Sequence, residues 1–181
     1  MKRLNFDYNA TTPIRPEVVE AMVSCWKGEF GNPASQHELG RRAESRLQEA
    51  RDHIVELLGG RLRGAEPDRL IFTSGGTESN NLALLGIASA RATWRDVHVV
   101  VSAIEHPSVL RAAEHVLDLG GRFDTVSVTP QGVVDVDRLE AFLKPDTRLV
   151  SVMLANHEIG TIQPVSQIAG LCRKHAIPCH T

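Results

Sequence analysis

The chain has 181 residues, a formal net charge of -2, 42% hydrophobic and 23% charged residues, the make-up of an ordinary folded domain with a real core. That charge balance makes no electrostatic case for nucleic acid or an anionic membrane as partner, and no apolar run is long enough to span a bilayer. The start, Met1-Lys2-Arg3-Leu4-Asn5-Phe6-Asp7, lacks the apolar core of a signal peptide. Cys25, Cys172 and Cys179 form no CxxC pair, and an odd count without a secretion signal suits a reducing cytosol. A cytoplasmic protein without disulfides or a metal centre is expected, with each cysteine at least half-buried.

Leu4 to Tyr8 is a short apolar-polar stretch, followed by a loop through Asn9-Ala10-Thr11-Thr12-Pro13. Pro16 opens a helix to about Trp26, since the first turn needs no N–H from it. Glu29 to Ser35 is a second loop, broken by Gly31 and Asn32-Pro33. In the longest helix Leu39, Ala43, Leu47, Ala50, Ile54 and Leu57 recur at steps of three and four, one apolar stripe. Gly59-Gly60 ends it. Arg41, Arg42, Glu44, Arg46 and Glu49 fall mostly off the stripe, on a solvated face with i,i+3 and i,i+4 pairs.

Leu70-Ile71-Phe72 then reads as a strand, Gly75-Gly76 as a turn and Thr77 to Asn81 as the start of a helix reaching about Arg91. Strands follow at Val97–Ser102, Phe123–Val128, Arg148–Ala155 and Ile177–His180, and helices at His106–Leu119, Asp135–Leu143 and Pro164–Lys174. The near-continuous apolar run at Val97 predicts a strand covered on both faces. Such alternation predicts an α/β fold with a parallel sheet, helices on both sides and right-handed crossovers.

In a parallel sheet of this kind ligands bind beyond the carboxyl ends of the strands. Three loops converge there: Gly75-Gly76-Thr77, Ala103 to Pro107, and Asn156 to Gly160. Gly75 and Gly76 allow backbone angles that side chains forbid and let a ligand approach. Free N–H groups where the helix begins favour an anion. The stretch is neither a P-loop nor a dinucleotide fingerprint, having no Gly-Lys-Ser/Thr and no G-x-G-x-x-G spacing. On these residues alone it is either an anion site or a capped turn that binds nothing. His106, beside Glu105 at a strand end, is either a structural histidine or one that stacks on a planar ligand or moves a proton. The Asn156-His157-Glu158 loop brings amide, imidazole and carboxylate together. Three such loops on one edge point to a pocket.

Asp7-Tyr8-Asn9-Ala10-Thr11-Thr12-Pro13, Phe30-Gly31-Asn32-Pro33-Ala34-Ser35, the stretch from Phe72 to Asn81, Glu105-His106-Pro107, and Asn156 to Pro164 resemble, block by block and in order, the cysteine desulfurases. These are class V members of the fold-type I pyridoxal-phosphate enzymes. The selenocysteine lyases share most of the blocks. The resemblance implies a three-layer α/β/α large domain with a mainly parallel sheet. Residues 1–15 would be an N-terminal segment, 16–181 an incomplete cofactor-binding large domain, and the C-terminal small domain absent. It implies pyridoxal 5'-phosphate as cofactor and conversion of L-cysteine to L-alanine with an enzyme-bound persulfide. A sulfur-acceptor or scaffold protein serving iron-sulfur or thio-cofactor synthesis would be a partner, and the full-length form a homodimer. Gly76 and Thr77 resemble the pair that holds the cofactor phosphate. His106 resembles the histidine that stacks on the pyridine ring and assists proton transfer. His157 stands where the family usually places an asparagine that contacts the ring. The loops through Thr12 and Asn32 resemble segments at the substrate entrance.

The resemblance also marks what these residues do not carry. The family's aspartate beneath the pyridine nitrogen would follow Thr181, and its cofactor-bearing lysine lies in a Ser/Thr-x-His-Lys setting that Lys2, Lys27, Lys144 and Lys174 do not share. None of the three cysteines matches the family's sulfur acceptor. The expectation is that the 181 residues alone do not catalyse desulfuration, and that a sheet cut short is prone to aggregate. The alternative is a non-catalytic module that binds the cofactor or an anion, or regulates a complete desulfurase.

Overall fold

The computed structural model describes residues 4–28, 30–90 and 93–181; Met1, Lys2, Arg3, Glu29 and the expected helix end at Arg91 lie outside them. The chain falls into two compact units, residues 1–72 and 73–181.

The first unit holds α1 (Pro16–Gly28) and α2 (Glu38–Leu57). Pro16 opens α1 as expected. At the start of α2 the His37 ring accepts the Gly40 N–H, and a Cβ at Gly40 would collide with the Ser35 carbonyl, so the preceding loop packs this tightly only against a glycine. After Leu57, Gly59 takes φ +74° and ends the helix as expected. Arg46 pairs with Glu49 at i,i+3. The expected apolar stripe exists but is only half covered: Ala43, Leu47 and Ile54 are half-buried, while Leu39, Ala50 and Leu57 are exposed. The expected strand Leu70–Phe72 does not form. A strand exists through its ladder partner, and this segment has none among the described residues, with Ile71 72% exposed.

The second unit is a three-layer α/β/α sandwich. Its parallel strands β1 (His98–Ser102), β2 (Arg122–Val126), β3 (Thr147–Ser151) and β4 (Cys179–His180) lie in the order β2-β1-β3-β4. Every residue of β1 is buried, as its apolar run predicts. The pleat sends alternate side chains to opposite faces. Val99, Val101 and Leu149 pack on one face with α4 (Pro107–Asp118) and with Leu84 and Ala88. Val100, Val126 and Val150 pack on the other with α5 (Val136–Phe142) and α6 (Val165–Lys174).

The helix that opens the unit, α3 (Gly76–Asn81), runs straight into a π-helical stretch, Leu82–Ile87. Sequence period gave no warning of this wider turn, a form that recurs at functional sites. His98 is the one ring buried within β1. Its nitrogens meet the Thr147 hydroxyl at 2.9 Å and the Asp124 carboxylate at 3.0 Å, which also takes the Lys144 ammonium. Burial is the main cause holding His98 below the usual imidazole range, with Lys144 adding to it. β1 runs outward to β2, and β3 then lies on β1's other side. The strand order therefore reverses between the carboxyl ends of β1 and β3, the place where a doubly wound sheet opens a crevice.

Candidate cofactor-binding site

The turn before α3 is built from side chains that hold its backbone. The Glu78 carboxylate accepts both the N–H and the hydroxyl of Ser74 at 2.6 Å, and those bonds, hydroxyl first, lower its pKa. The Thr73 hydroxyl meets that of Ser79 at 2.7 Å. The N–H of Ser79 is the first to find a helical acceptor, the Gly75 carbonyl at 3.1 Å, which leaves the amides of Gly76, Thr77 and Glu78 without one inside the helix. The two glycines act through bareness rather than backbone freedom. Neither lies in the left-handed range, and Gly75 at φ 164° is simply extended. A Cβ at either would meet no atom within 4 Å. The corner is an open cradle of donors facing solvent, the geometry an anion takes.

The other two loops continue β1 and β3, as expected; the glycine corner follows no strand. Glu105 turns back under the β1 loop, where one carboxylate oxygen accepts the Ser102 hydroxyl and, at 2.7 Å, the Met153 N–H beyond β3. It is 7% exposed, and burial pushes its pKa up. Asn156 organises the β3 loop. Its amide donates to the Ile104 carbonyl at 2.9 Å, and its oxygen accepts the N–H groups of Glu158 and Ile159 at 2.8 and 2.9 Å. These two residues bind the loops across the crevice. A cavity of about 280 Å³, lined in part by Glu105, Pro107, Asn156 and His157, opens there.

His106 caps α4, its Nδ1 accepting the Ser108 N–H at 3.1 Å. Its ring stands exposed beside that of His157, centroids 5.6 Å apart and planes inclined by 49°. The Asn80 amide of α3 reaches the Ser108 hydroxyl at 2.8 Å, which is 2.8 Å from His106 Nδ1. The structure thus brings His106 and His157 side by side and links the helix of Gly76 and Thr77 to them through Asn80 and Ser108; of the four expected site residues, His157 lines the cavity and Gly76 and Thr77 do not. Asn80 and Ser108 were not foreseen; the signal was a hydroxyl two residues after His106, suited to bonding that ring. Among the described residues no helix is long and apolar enough to cross a membrane.

The aminotransferase class-V family model matches residues 4–181. The chain belongs to that family. It is 43% identical over 182 residues to the cysteine desulfurase IscS of Dictyoglomus turgidum, covering all of this chain and 45% of the relative. A solved NifS-like protein superposes with a TM-score of 0.88 at 34% identity, covering 99% of this chain and 48% of the other. A structure of SspA in complex with cysteine does so with a TM-score of 0.85 at 32% identity, covering 97% and 49%. The chain thus spans about half the length of the relatives it matches. The class V resemblance and the three-layer, mainly parallel fold both hold.

Proposed function

We propose that these residues form the pyridoxal 5'-phosphate-holding part of a cysteine desulfurase, residues 16–181 contributing to its large domain. The observation that carries the reading is the open glycine corner, with its free amides, tied through Asn80 and Ser108 to the His106 ring. The fit can be judged on the chain itself. A phosphate needs converging N–H donors and room, and Gly76, Thr77 and the bare Gly75-Gly76 surface supply both. A flat heteroaromatic ring needs a flat partner, which exposed His106 offers. His157 offers one ring nitrogen as a hydrogen-bonding group at its edge.

When bound, the cofactor supplies an electron sink for bond cleavage at the amino acid's α-carbon. The chain's own work is then to anchor the phosphate, align the ring and hold a proton at His106 Nε2, the nitrogen its cap leaves open. The substrate is L-cysteine, the SspA complex with cysteine supporting an amino acid of that kind on this fold. Release of alanine and transfer of sulfur to an acceptor protein, in a cytoplasmic homodimer, complete the reading.

Fluorescence titration with pyridoxal 5'-phosphate tests it. Saturable binding is expected, competed by inorganic phosphate and weakened by Gly76→Pro, which removes one N–H donor. Equal binding by wild type and by a double variant, Gly76→Pro with His106→Ala, would overturn it.

A further inference from the structure

We infer that Asn80 and Ser108 are positioning residues that hold His106 in a single tautomer, Nδ1 bare and Nε2 protonated. The donor count along the chain of contacts carries this. Asn80 Nδ2 can only donate, so the Ser108 oxygen at 2.8 Å accepts from it. That leaves the Ser108 hydroxyl hydrogen to go to His106 Nδ1, 2.8 Å away. The Ser108 backbone N–H points at the same nitrogen at 3.1 Å. Two donors aimed at Nδ1 leave no place for a proton on it, so the neutral ring carries its proton on Nε2. Ser108 is buried and Asn80 half-buried, so water competes weakly for these bonds. Asn80 also lies four residues after Gly76 on the same helix. The group that sets the tautomer is therefore rigidly linked to the corner proposed to hold phosphate.

The consequence for catalysis rests on the proposed function: a fixed ring plane for stacking, and proton exchange confined to Nε2. The tautomer itself is a property of this chain without cofactor. Two-bond ¹H–¹⁵N correlation spectra of the histidine-labelled chain, above the pH of imidazole protonation, read it directly.

Wild type should show His106 as the Nε2–H form. Asn80→Asp keeps the shape but reverses the donor. The carboxylate accepts the Ser108 hydroxyl, whose oxygen can then accept a proton from Nδ1. The tautomer ratio should move about fivefold toward Nδ1–H, the worth of one ordinary hydrogen bond. In a Ser108→Ala background, Asn80→Asp should move it no further. An Nδ1–H ring in wild type overturns the inference, as does an unchanged ratio in Asn80→Asp. A shift that persists without the Ser108 hydroxyl overturns it too, because the new charge would then be acting through space. Failure of pyridoxal 5'-phosphate to bind would overturn the proposed function and leave this result standing.

Discussion

His106 and His157 arrive from the ends of two different strands, yet their ring centroids stand 5.6 Å apart. The spacing is kept from beneath by Glu105 and Asn156, each of which reaches from one loop to the other. On the proposed function, the exposed His106 ring is the face on which the cofactor ring would lie. His106→Phe should therefore retain a stacking face and bind pyridoxal 5'-phosphate within a fewfold of wild type. His106→Ala should weaken binding by roughly threefold to tenfold, the range of an aromatic pair. Fluorescence titration of both variants checks the order.

The glycine corner separates donor from shape. Gly76→Ala places a methyl in open space and keeps the N–H. It should weaken phosphate binding several-fold, because the methyl takes room the ligand needs, and raise stability by up to about 0.5 kcal/mol through the unfolded chain. Gly76→Pro sits at the first helical position, where proline is welcome, but removes one donor. It should keep the melting temperature within a few degrees and weaken phosphate binding by about fivefold or more. Paired thermal melts and phosphate titrations check both.

The parts of this structure legible in the sequence are those set by near neighbours. The run at Val99–Val101 announced a strand covered on both faces, and Pro16 and Gly59 announced helix ends, because one segment's side chains decide each. What escaped depends on partners far along the chain. Leu70–Phe72 has the composition of a strand but no ladder partner among the described residues. His98 looks polar for a buried strand until Thr147 and Asp124, 49 and 26 residues away, are seen to satisfy it. Asn80 finds Ser108 across 28 residues. Gly75 and Gly76 were visible as a turn, but what the structure shows there is open space around both and not a left-handed backbone angle.

Glu105 gives the pH dependence of the crevice. Burial raises its folded pKa above the unfolded value near 4.5, so the folded state favours the protonated acid. Its contribution is fully present below that value and is lost as pH rises through the raised pKa. Glu105→Gln keeps an oxygen for Ser102 and Met153 without the buried charge. Relative to wild type it should gain stability as pH rises from 4 to 8. Glu105→Ala leaves the Met153 N–H and the Ser102 hydroxyl unpaired and should cost about 1–3 kcal/mol. Denaturant melts across that pH range show both effects, and a Glu105→Gln difference that does not grow with pH would contradict them.

Cys179 departs from the expectation that the cysteines are packed away: it is exposed, while Cys172 is buried. Cys179 sits in register with Val150, and Val150 shares a core cluster with Cys172 of α6, so strand and helix bring the two thiols to one face of the sheet. Pairing with the Cys172 thiol favours the Cys179 thiolate and lowers its pKa to about 7, while the same pairing and burial drive Cys172 up. Alkylation of Cys179 by iodoacetamide should therefore rise through a midpoint near pH 7, with Cys172 unlabelled in the folded chain. Cys172→Ala removes that partner and returns Cys179 toward an ordinary thiol, of which only a few per cent is ionised at pH 7. The labelling rate at pH 7 should then fall roughly tenfold, the drop in thiolate fraction. Mass spectrometry of pulse-labelled chains reads the midpoint, and a rate unchanged by Cys172→Ala would show that the two thiols do not share a proton.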